Sequence, residues 1–488
     1  MVNEDERRLG EGVGKTQEPT PQLMPYQIKG AHWLSKKTHA LLADEMGLGK
    51  SAQSIVASHW AGMETVLVVC PAIARYNWAD EFHKFDPAKR NVCVVLQRNQ
   101  ALCGPIVVCS YDLVECILDD PNLKFDLLIL DEAHFLKNPT AKRTQKVLGK
   151  YGLVHRAKRC WALTGTPVPN HIAEMWPLLF TFRATTLSYE AFVHRFCVTI
   201  ETGFGKQIIG TKAERTKEIQ QIMEKIMFRR LAKDVLKQLP QLIVTELFVE
   251  PTNPDLENSY EFFQYTLSNR MKNYVREKVE EERQLVEKME FEIMSSEAKD
   301  EEIFARMEAL SKSVSTLRRF TGLQKVKGVA DVVKKELDSG MYEKIVIFAI
   351  HRDVIFQLEQ LLKEFRPRVI VGTTTANGRK TMLTNFELLP TFQVLICNIQ
   401  TAGTAINLAF CDQLIFLEQD WVPANNAQAA KRLHRIGQTR PVKVRIATIR
   451  DSFDQRIGRV LARKTKEISK IFNQTNGILD LTVLERKD

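Results

Sequence analysis

Short apolar runs separated by amphipathic stretches recur along this chain in two separate series, and they constrain its fold more than any other feature. The first series lies between about 41 and 170 and contains HALLAD, TVLVVCP, NVCVVL, PIVVCS, FDLLILDE and CWALTGT. The second series, nearer the C-terminus, contains KIVIFAI, PRVIVGTT, FQVLICN, DQLIFLE and VKVRIATI. Apolar runs that alternate with helical patterns are typical of parallel strands covered by helices on both faces. The sequence therefore predicts an α/β protein with two parallel-sheet lobes.

The length of the chain, 488 residues, exceeds what one ordinary hydrophobic core supports, which favours two domains with insertions. We expect a flexible tail over 1–20, a first lobe over 21–238 and a second lobe over 239–488. Each lobe is expected to carry a helical insertion, at about 171–235 in the first lobe and about 255–320 in the second. The second insertion is dense in charge and has apolar residues three or four apart, which favours a solvated pair of helices.

The composition of the chain predicts its cellular compartment and the kind of partner that it binds. The net charge of +10 favours a polyanionic partner such as nucleic acid. No apolar run approaches the roughly eighteen residues of a membrane span, and no apolar signal core is present, so we expect an intracellular protein. It would be cytoplasmic in a bacterium or virus and nuclear in a eukaryote. The nine cysteines form no C-x-x-C pair, which argues against a zinc module and a disulfide framework.

Two stretches have the pattern of a phosphate-binding loop, GEGVGKT at 10–16 and EMGLGKS at 45–51. Such a loop works where a strand leads into a tight glycine turn and a helix N-terminus then points N–H groups at the anion. The second stretch follows the apolar HALLAD and precedes SAQSIVASHW, which has helical spacing. The first stretch lies between charged residues and the proline-containing QEPTPQLMP, which opposes a helix. We therefore expect the nucleotide to be bound by Gly47, Leu48, Gly49, Lys50 and Ser51.

A pair of carboxylates, Asp131 and Glu132, follows the apolar run LLIL. Ligands of open α/β sheets bind at the carboxyl ends of the strands, so this pair is expected near the phosphate loop. Phosphoryl transfer requires a held triphosphate, a Mg²⁺ ion that bridges its oxygens and a positioned water. Lys50 would contact the β- and γ-phosphates of ATP, and Ser51 and Asp131 would bind Mg²⁺. Glu132 would orient or deprotonate the water.

The first lobe offers no obvious cation for the transition state, but the second lobe does. In NNAQAAKRLHRIGQTRP, Gln428, Arg432 and Arg435 are separated by four and three residues, which places them on one face of a helix. An isolated R-x-x-R would be read as a basic surface ridge. Because these arginines belong to the other lobe, closure over ATP would complete the site and link hydrolysis to movement.

The series of motifs resembles, in order and spacing, that of the Swi/Snf-type ATPases of helicase superfamily 2, from about 21 to 470. LMPYQIKGAHWL resembles the motif that reads adenine, which implies that Gln27 contacts the base. DEMGLGKS, LDEAH and LTGTPVPN resemble the nucleotide-binding and coupling motifs. IMFRRLAKDVLKQLP resembles the block between the lobes, and QAAKRLHRIGQ resembles the helix that carries the arginine finger.

The resemblance implies two recombinase-like lobes with helical insertions and an ATP site in the cleft between them. It also implies an ATPase stimulated by DNA that moves along the duplex without obligatory strand separation. The partner would be double-stranded DNA, bound with little sequence preference because the contacts are to phosphates, and we expect a monomer. By the same resemblance, the DNA contacts would come from Ser110, Thr373, Arg379, Thr401 and Gly403.

One loop departs from the family pattern. The family has A-G-G-x-G-x-N-L where this chain has TAGTAINL, with Ala402 and Ala405 at two glycine positions. Alanine adopts positive φ only at a cost, so we expect coupling to DNA at this loop to be altered. Besides translocation, the sequence leaves open an enzyme that anneals strands or migrates branches at forks, and an ATP-gated DNA clamp that does not move. The complete catalytic set, from Lys50 to Arg435, argues against the clamp.

Overall fold

The computed structural model describes residues 22–202, 205–252, 311–402, 406–450, 453–472 and 481. Several expectations lie outside these residues. They are the tail over 1–20, the glycine motif at 10–16, most of the second insertion, Gly403 and Ala405.

The first lobe is built on a seven-stranded sheet. The strands of this half of the chain are β1 His39–Leu42, β2 Val66–Cys70, β3 Val92–Val94, β4 Ile106–Ser110, β5 Phe125–Asp131, β6 Ala157–Leu163, β7 Cys197–Thr202, β8 Gly205–Thr211 and β9 Met227–Phe228. All except β7 and β8 belong to the sheet, in the order β3-β4-β2-β5-β6-β1-β9, with every neighbouring pair parallel. Every residue of β2 and β4 is buried, which agrees with the continuous apolar runs of the sequence.

Helices cover both faces of this sheet. They are α1 Pro25–Ser35, α2 Lys50–Trp60, α3 Arg75–Phe85, α4 Val114–Leu118, α5 Lys142–Leu148, α6 Trp176–Thr181, α7 Tyr189–Phe196, α8 Thr216–Glu224 and α9 Ala232–Val235. Successive side chains of a strand point to opposite faces. In β5, Leu128 and Leu130 belong to one hydrophobic cluster, whereas Leu127 and Ile129 belong to another. The sheet therefore has a hydrophobic layer on each side.

The first insertion is only partly helical. Residues 171–235 contain α6 to α9, but also the antiparallel hairpin of β7 and β8 and the strand β9, which joins the sheet beside β1. The expectation of a helical segment is wrong for these strands. The runs CVTIET and KQIIGT are rich in β-branched residues, which favour strands over helices.

The second lobe is a six-stranded parallel sheet with its own helices. Its strands are β10 Leu242–Phe248, β11 Ile345–Ala349, β12 Arg368–Ile370, β13 Val394–Asn398, β14 Gln413–Phe416 and β15 Val442–Thr448, in the order β10-β15-β14-β11-β13-β12. Its helices are α10 Ser311–Asp338, α11 Arg352–Leu361, α12 Ala376–Leu388, α13 Ile399–Ala402, α14 Pro423–Ala430 and α15 Phe453–Ile471. The predicted fold class, two parallel-sheet α/β lobes, is confirmed. Within the described ranges, no helix has both the length and the apolar character needed to cross a bilayer.

The last helix, α15, is anchored in both lobes. Leu461 packs in the hydrophobic cluster of the second lobe. Ile468 and Ile471, about two and about three turns further along, are buried in the cluster of the first lobe. At the same end, Nε2 of Gln220 in the first lobe donates to the carbonyl of Lys470 at 3.1 Å. The two sheets are therefore joined by a helix as well as by the segment between β9 and β10.

Candidate active site

The loop between β1 and α2 has the geometry of a phosphate-binding turn. Gly47 and Gly49 both adopt left-handed backbone conformations, with φ of 82° and 71°, which favour glycine. A Cβ atom on Gly49 would lie 2.3 Å from Nε2 of Gln27, so a side chain at this position would displace the Gln27 amide. In the described part of the chain, no side chain caps the N-terminus of α2. The backbone N–H groups of its first turn can therefore bind an anion.

Lys50, the first residue of α2, turns its side chain back into this loop. Its Nζ donates to the carbonyl oxygens of Asp44 at 2.9 Å and Glu45 at 3.3 Å. Burial lowers the pKa of Lys50, and the nearby carboxylates of Glu132, Asp44 and Asp131 oppose this effect. A partly desolvated ammonium at a helix N-terminus is suited to a phosphate, which would add charge-assisted hydrogen bonds. This arrangement fits the triphosphate of ATP.

Gln27 of α1 lies beside the same loop. Its Oε1 accepts a hydrogen bond from the backbone N–H of Met24 at 2.8 Å, and its Nε2 donates to the carbonyl of Leu48 at 3.3 Å. The side chain thus connects the start of α1 to the phosphate loop. Its contact with adenine, implied by the resemblance, stays a prediction.

Asp131, the last residue of β5, is held by two hydrogen bonds. Its carboxylate accepts from the indole N–H of Trp78 at 2.8 Å and from the backbone N–H of Glu132 at 3.0 Å. Burial and the adjacent Glu132 raise the pKa of Asp131 to about 6. A cation next to this carboxylate would offset both effects. The sequence pattern did not identify Trp78, which lies in α3 among residues of ordinary helical spacing.

The donor set near the phosphate loop suits Mg²⁺ better than a metal held wholly by protein. Among the described residues, no group of three or more His, Cys, Asp or Glu side chains is arranged to hold a metal ion. Mg²⁺ usually binds through one or two carboxylates together with phosphate oxygens and water. Asp131 and the hydroxyl of Ser51, which follows Lys50 in α2, are the protein groups that fit this pattern.

Glu132 faces groups from both lobes. It adopts a left-handed conformation with φ of 49°, which is uncommon outside glycine and often marks a functional position. Burial would raise the pKa of Glu132, but His134, Lys50 and Arg432 together hold it below its ordinary value. Nε2 of Gln428, from the second lobe, donates to Oε1 of Glu132 at 3.4 Å. Glu132 is therefore a carboxylate at neutral pH, and it is one of the points at which the two lobes are in contact.

His134 connects the acidic pair to the motif LTGTP. Its Nδ1 lies 3.0 Å from Oγ1 of Thr164 and 3.2 Å from Oε2 of Glu132. Thr164 follows β6, the strand next to β5. A movement of the Glu132 side chain would therefore shift His134 and its contact with Thr164 at the end of β6.

The structure brings Gln428, Arg432 and Arg435 to the first lobe, although not on one continuous helix. α14 ends at Ala430, and the chain continues in turns. The expectation of a helix that carries all three residues is wrong in this respect. The N–H of Arg432 bonds only three residues back, to the carbonyl of Ala429, a tightening that is common where a helix ends.

The two arginines approach different parts of the site. Burial lowers the pKa of Arg432 to about 10, and the carboxylate of Glu132 opposes this effect. Burial also lowers the pKa of Arg435, and here Glu81 of α3 opposes it. A Cβ atom on Gly47 would lie 3.5 Å from Cβ of Arg435. Arg432 therefore lies beside the acidic pair, and Arg435 lies against the phosphate loop.

Two arginines between β9 and β10 contact the residues that lead into the phosphate loop. Nη1 of Arg229 donates to the carbonyls of Ala43 at 2.7 Å and Gly165 at 3.3 Å. Arg230 forms an ion pair with the buried Asp44. Both arginines belong to IMFRRLAKDVLKQLP, so a motif marked the region. No local pattern in the sequence indicated which groups they would contact.

The predicted DNA contacts lie at or beyond the carboxyl ends of strands. Ser110 ends β4 and is 2% exposed, so little of this residue is accessible to DNA. Thr373 follows β12, and Thr401 lies in α13, directly after β13. A Cβ atom on Gly372 would lie 3.8 Å from Oγ1 of Thr401, so these two loops adjoin. Arg379 is 9% exposed, and its Nε and Nη1 have no hydrogen-bond partner among the described groups. Contact with DNA stays a prediction for all four residues.

Comparison with known families gives two matches along the chain. Residues 26–307 match the SNF2-related domain, and residues 328–437 match the helicase conserved C-terminal domain. The first match alone spans more than half of the chain.

Individual relatives are similar over nearly the whole chain but are much longer than it. SWI/SNF-related matrix-associated actin-dependent regulator of chromatin subfamily A-like protein 1 of Xenopus laevis is 28% identical over 458 residues, which are 92% of this chain and 44% of that protein. DNA annealing helicase and endonuclease ZRANB3 of Mus musculus is 26% identical over 472 residues, which are 93% of this chain and 41% of that protein. The chain thus spans less than half the length of these relatives. Among solved structures, the Sulfolobus solfataricus SWI2/SNF2 ATPase core in complex with dsDNA is 24% identical, covers 97% of each chain and has a TM-score of 0.42.

Proposed function

The chain belongs to the SNF2-related domain family of DNA-dependent ATPases, and from this premise we propose that it is an ATP-driven translocase on double-stranded DNA. ATP binding and hydrolysis would close and open the lobes, and the protein would advance along the duplex in short steps. The observation that carries the proposal is the meeting of both lobes at Glu132, where Gln428 of the second lobe donates to a carboxylate of the first at 3.4 Å.

ATP would be held mainly by the first lobe. The N–H groups at the start of α2 and the ammonium of Lys50 would bind the phosphates, and Gln27 would contact the adenine. Mg²⁺, with Ser51 and Asp131 as its protein ligands, would neutralise charge on the phosphates. The hydrogen bond from Trp78 to Asp131 keeps that carboxylate in one orientation before the nucleotide arrives.

The chemical step would draw on both lobes. Glu132, an ionised carboxylate, would orient the attacking water and accept its proton. Arg432 and Arg435 would stabilise the negative charge that develops on the transferred phosphoryl group. Because both arginines belong to the second lobe, hydrolysis requires the lobes to be in contact. The state of the nucleotide and the position of the lobes would therefore change together.

DNA would be bound along the carboxyl edges of both sheets, mainly through its phosphates. The exposed Thr373 is suited to a phosphate oxygen, and the adjoining Arg379, which is 9% exposed, would add a cation once its side chain turns outward. The net charge of +10 favours association with a polyanion. Since backbone contacts carry little sequence information, binding would show little sequence preference.

A second activity, strand annealing or branch migration at forks, has one specific observation in its favour. A relative that is 26% identical over 93% of this chain is named a DNA annealing helicase. Annealing would use the same ATP site, so the two activities differ in the DNA substrate. An ATP-gated clamp that does not move is less consistent with the site, because binding alone requires neither Glu132 nor the two arginines.

Displacement of a third strand from a linear duplex tests the proposal directly. We expect ATP to drive triplex displacement and the Lys50→Ala variant to give none. Hydrolysis without displacement would contradict simple translocation. In that case, annealing of complementary single strands and regression of a model fork would separate the second activity from the clamp.

We also expect double-stranded DNA to raise ATP turnover and DNA affinity to fall steeply with salt. Phosphate contacts release counterions, with a log-log slope of about −0.9 per phosphate neutralised. Fluorescence anisotropy over a salt series measures the slope, and a duplex of scrambled sequence is the control, for which we expect the same affinity. A flat salt response, or stimulation by RNA alone, would contradict DNA as the partner.

A further inference from the structure

A chain of buried polar groups, which includes the neighbour of Arg432 in the sequence, connects the two lobes. Nζ of Lys431, from the second lobe, lies 2.7 Å from Oε1 of Glu45 in the phosphate loop, and the side chains are 11% and 3% exposed. The same Nζ lies 3.2 Å from Nδ1 of His434. Nε2 of His434 lies 2.6 Å from the carbonyl oxygen of Pro240. We call these four groups, Glu45, Lys431, His434 and the Pro240 carbonyl, the interlobe relay.

The donors and acceptors of the relay can have only one arrangement. A lysine ammonium only donates, so Nδ1 of His434 must be the acceptor. Nε2 of His434 then carries the proton and donates to Pro240. Burial first and the charge of Lys431 second lower the pKa of His434, which is consistent with a neutral imidazole. The relay is therefore directional, from the carboxylate of Glu45 to the chain segment between the two sheets.

Glu45 is also fixed from the first lobe. Its Oε2 accepts from the backbone N–H of Ala232, the first residue of α9, at 2.5 Å. The guanidinium of Arg229 also interacts with Glu45. Burial lowers the pKa of Arg229, and the carboxylate of Glu45 partly opposes this effect. Ala232 and Pro240 both lie between the last strand of the first sheet and β10. The relay thus meets the phosphate loop at one end and the connecting segment at the other.

We propose that Lys431 is a positioning residue for hydrolysis, which holds Arg432 and Arg435 over the phosphate loop through Glu45 and couples them to the connecting segment through His434. Lys431 is adjacent to Arg432 in sequence and four residues before Arg435, in a segment of turns with no continuous helix to fix it. Removal of one partner of a buried ion pair leaves the other charge buried and uncompensated. The relay therefore specifies one relative placement of the lobes. This inference rests on the proposed function, since it places the arginines in ATP hydrolysis.

The first test is Lys431→Met, which removes the charge and keeps the length of the side chain. We expect kcat for ATP on DNA to fall by about tenfold or more, because displaced catalytic groups lose much of their effect. KM for ATP should change by less than about threefold, since the first lobe holds the nucleotide. Lys431→Arg should recover part of the activity, because a guanidinium keeps the positive charge beside Glu45 and can donate to His434. Lys443→Met, at an exposed position of β15, is the matched control, for which we expect wild-type turnover.

The second test is a double-mutant cycle with Glu45→Gln, which keeps an oxygen for the Ala232 N–H. Coupled residues give non-additive effects, so Lys431→Met with Glu45→Gln should be no slower than the slower single variant. Strictly additive losses would overturn the relay. If Lys431→Met fails to fold, Glu45→Gln decides alone. Wild-type kcat for Glu45→Gln, or unfolding of both variants, would also overturn the proposal.

An interlobe distance separates this inference from the proposed function. Fluorophores on non-standard amino acids at the exposed positions Tyr151 and Leu388 report the distance by energy transfer, with a non-hydrolysable ATP analogue bound. We expect a longer or broader distance in Lys431→Met than in the wild type. Unchanged distance and turnover would overturn the relay and leave the translocase untouched. A wild-type protein that hydrolyses ATP but displaces no triplex would overturn the translocase, while the distance and kcat of the variants would still decide the relay.

Discussion

The Arg435→Ala variant is expected to hydrolyse ATP on DNA about three to five orders of magnitude more slowly than the wild type, as for other arginine fingers. Arg435 belongs to the second lobe, and its Cβ lies 3.5 Å from the position of a Cβ on Gly47. The side chain therefore starts next to the phosphates that it would stabilise in the transition state. Fold, ATP binding and much of the DNA affinity should persist, because these depend on other groups. Steady-state turnover, nucleotide binding and thermal unfolding measure the three quantities.

Two further variants make this expectation specific. Arg435→Lys should restore little activity, since lysine lacks the planar group that engages two phosphate oxygens at once. Arg366→Ala changes an exposed arginine that precedes β12, an edge strand of the second sheet, and should leave turnover near that of the wild type. If Arg435→Ala hydrolysed ATP at a near wild-type rate on DNA, the site would lack its essential cation. The translocase would then have to be abandoned.

Lys50→Ala is expected to abolish ATP hydrolysis, while Lys15→Ala leaves it nearly normal. Lys50 lies at the start of α2, where the left-handed Gly49 and the first N–H groups of the helix form an anion site. Its Nζ is already directed into the loop, on the carbonyls of Asp44 and Glu45. Phosphate release with DNA present, over a range of ATP concentrations, measures the effect.

The Lys15 variant is the natural control, since GEGVGKT repeats the glycines and the lysine of the second stretch without an apolar run before it or a helical pattern directly after it in the sequence. Both variants should have the same thermal stability as the wild type, because substitutions away from a hydrophobic core usually change stability little. Equal loss of activity in the two variants would mean that residues 10–16 take part in nucleotide binding.

The strands could be predicted because their signal is local. TVLVVCP and KIVIFAI became β2 and β11, in which every residue is buried, and continuous burial leaves a continuous apolar run. The hairpin of β7 and β8 lies outside both sheets, so its strands lack such a run, and the sequence pattern predicts a helical insertion there instead. For a related reason, the sequence does not indicate that α14 ends at Ala430. The residues KRLHR that follow are compatible with a helix, and packing against the first lobe decides their conformation.

The residues of the candidate site likewise fall into those that a local sequence pattern identifies and those that it does not. Lys50, Asp131 and Glu132 could be identified because each lies within a few residues of a strand end or a helix start. The hydrogen bond from Trp78 to Asp131 joins positions 53 apart, and that from Gln428 to Glu132 joins positions 296 apart. Neither separation leaves a periodic pattern in the sequence. The partners of Lys431 were hidden for the same reason, since Glu45 becomes its neighbour only when the lobes pack together.

The helix α15 limits how the cleft can open. Pulling Ile468 and Ile471 out of the first lobe would expose two buried aliphatic side chains, each at a cost of about 1.5 to 3 kcal/mol. An opening that leaves them in place avoids this cost and turns one lobe about the C-terminal end of the helix. The cleft would then widen as an angle and not as a parallel gap. In the proposed translocation cycle, the advance per ATP molecule would depend on the arc through which this 19-residue helix can turn about its C-terminal end.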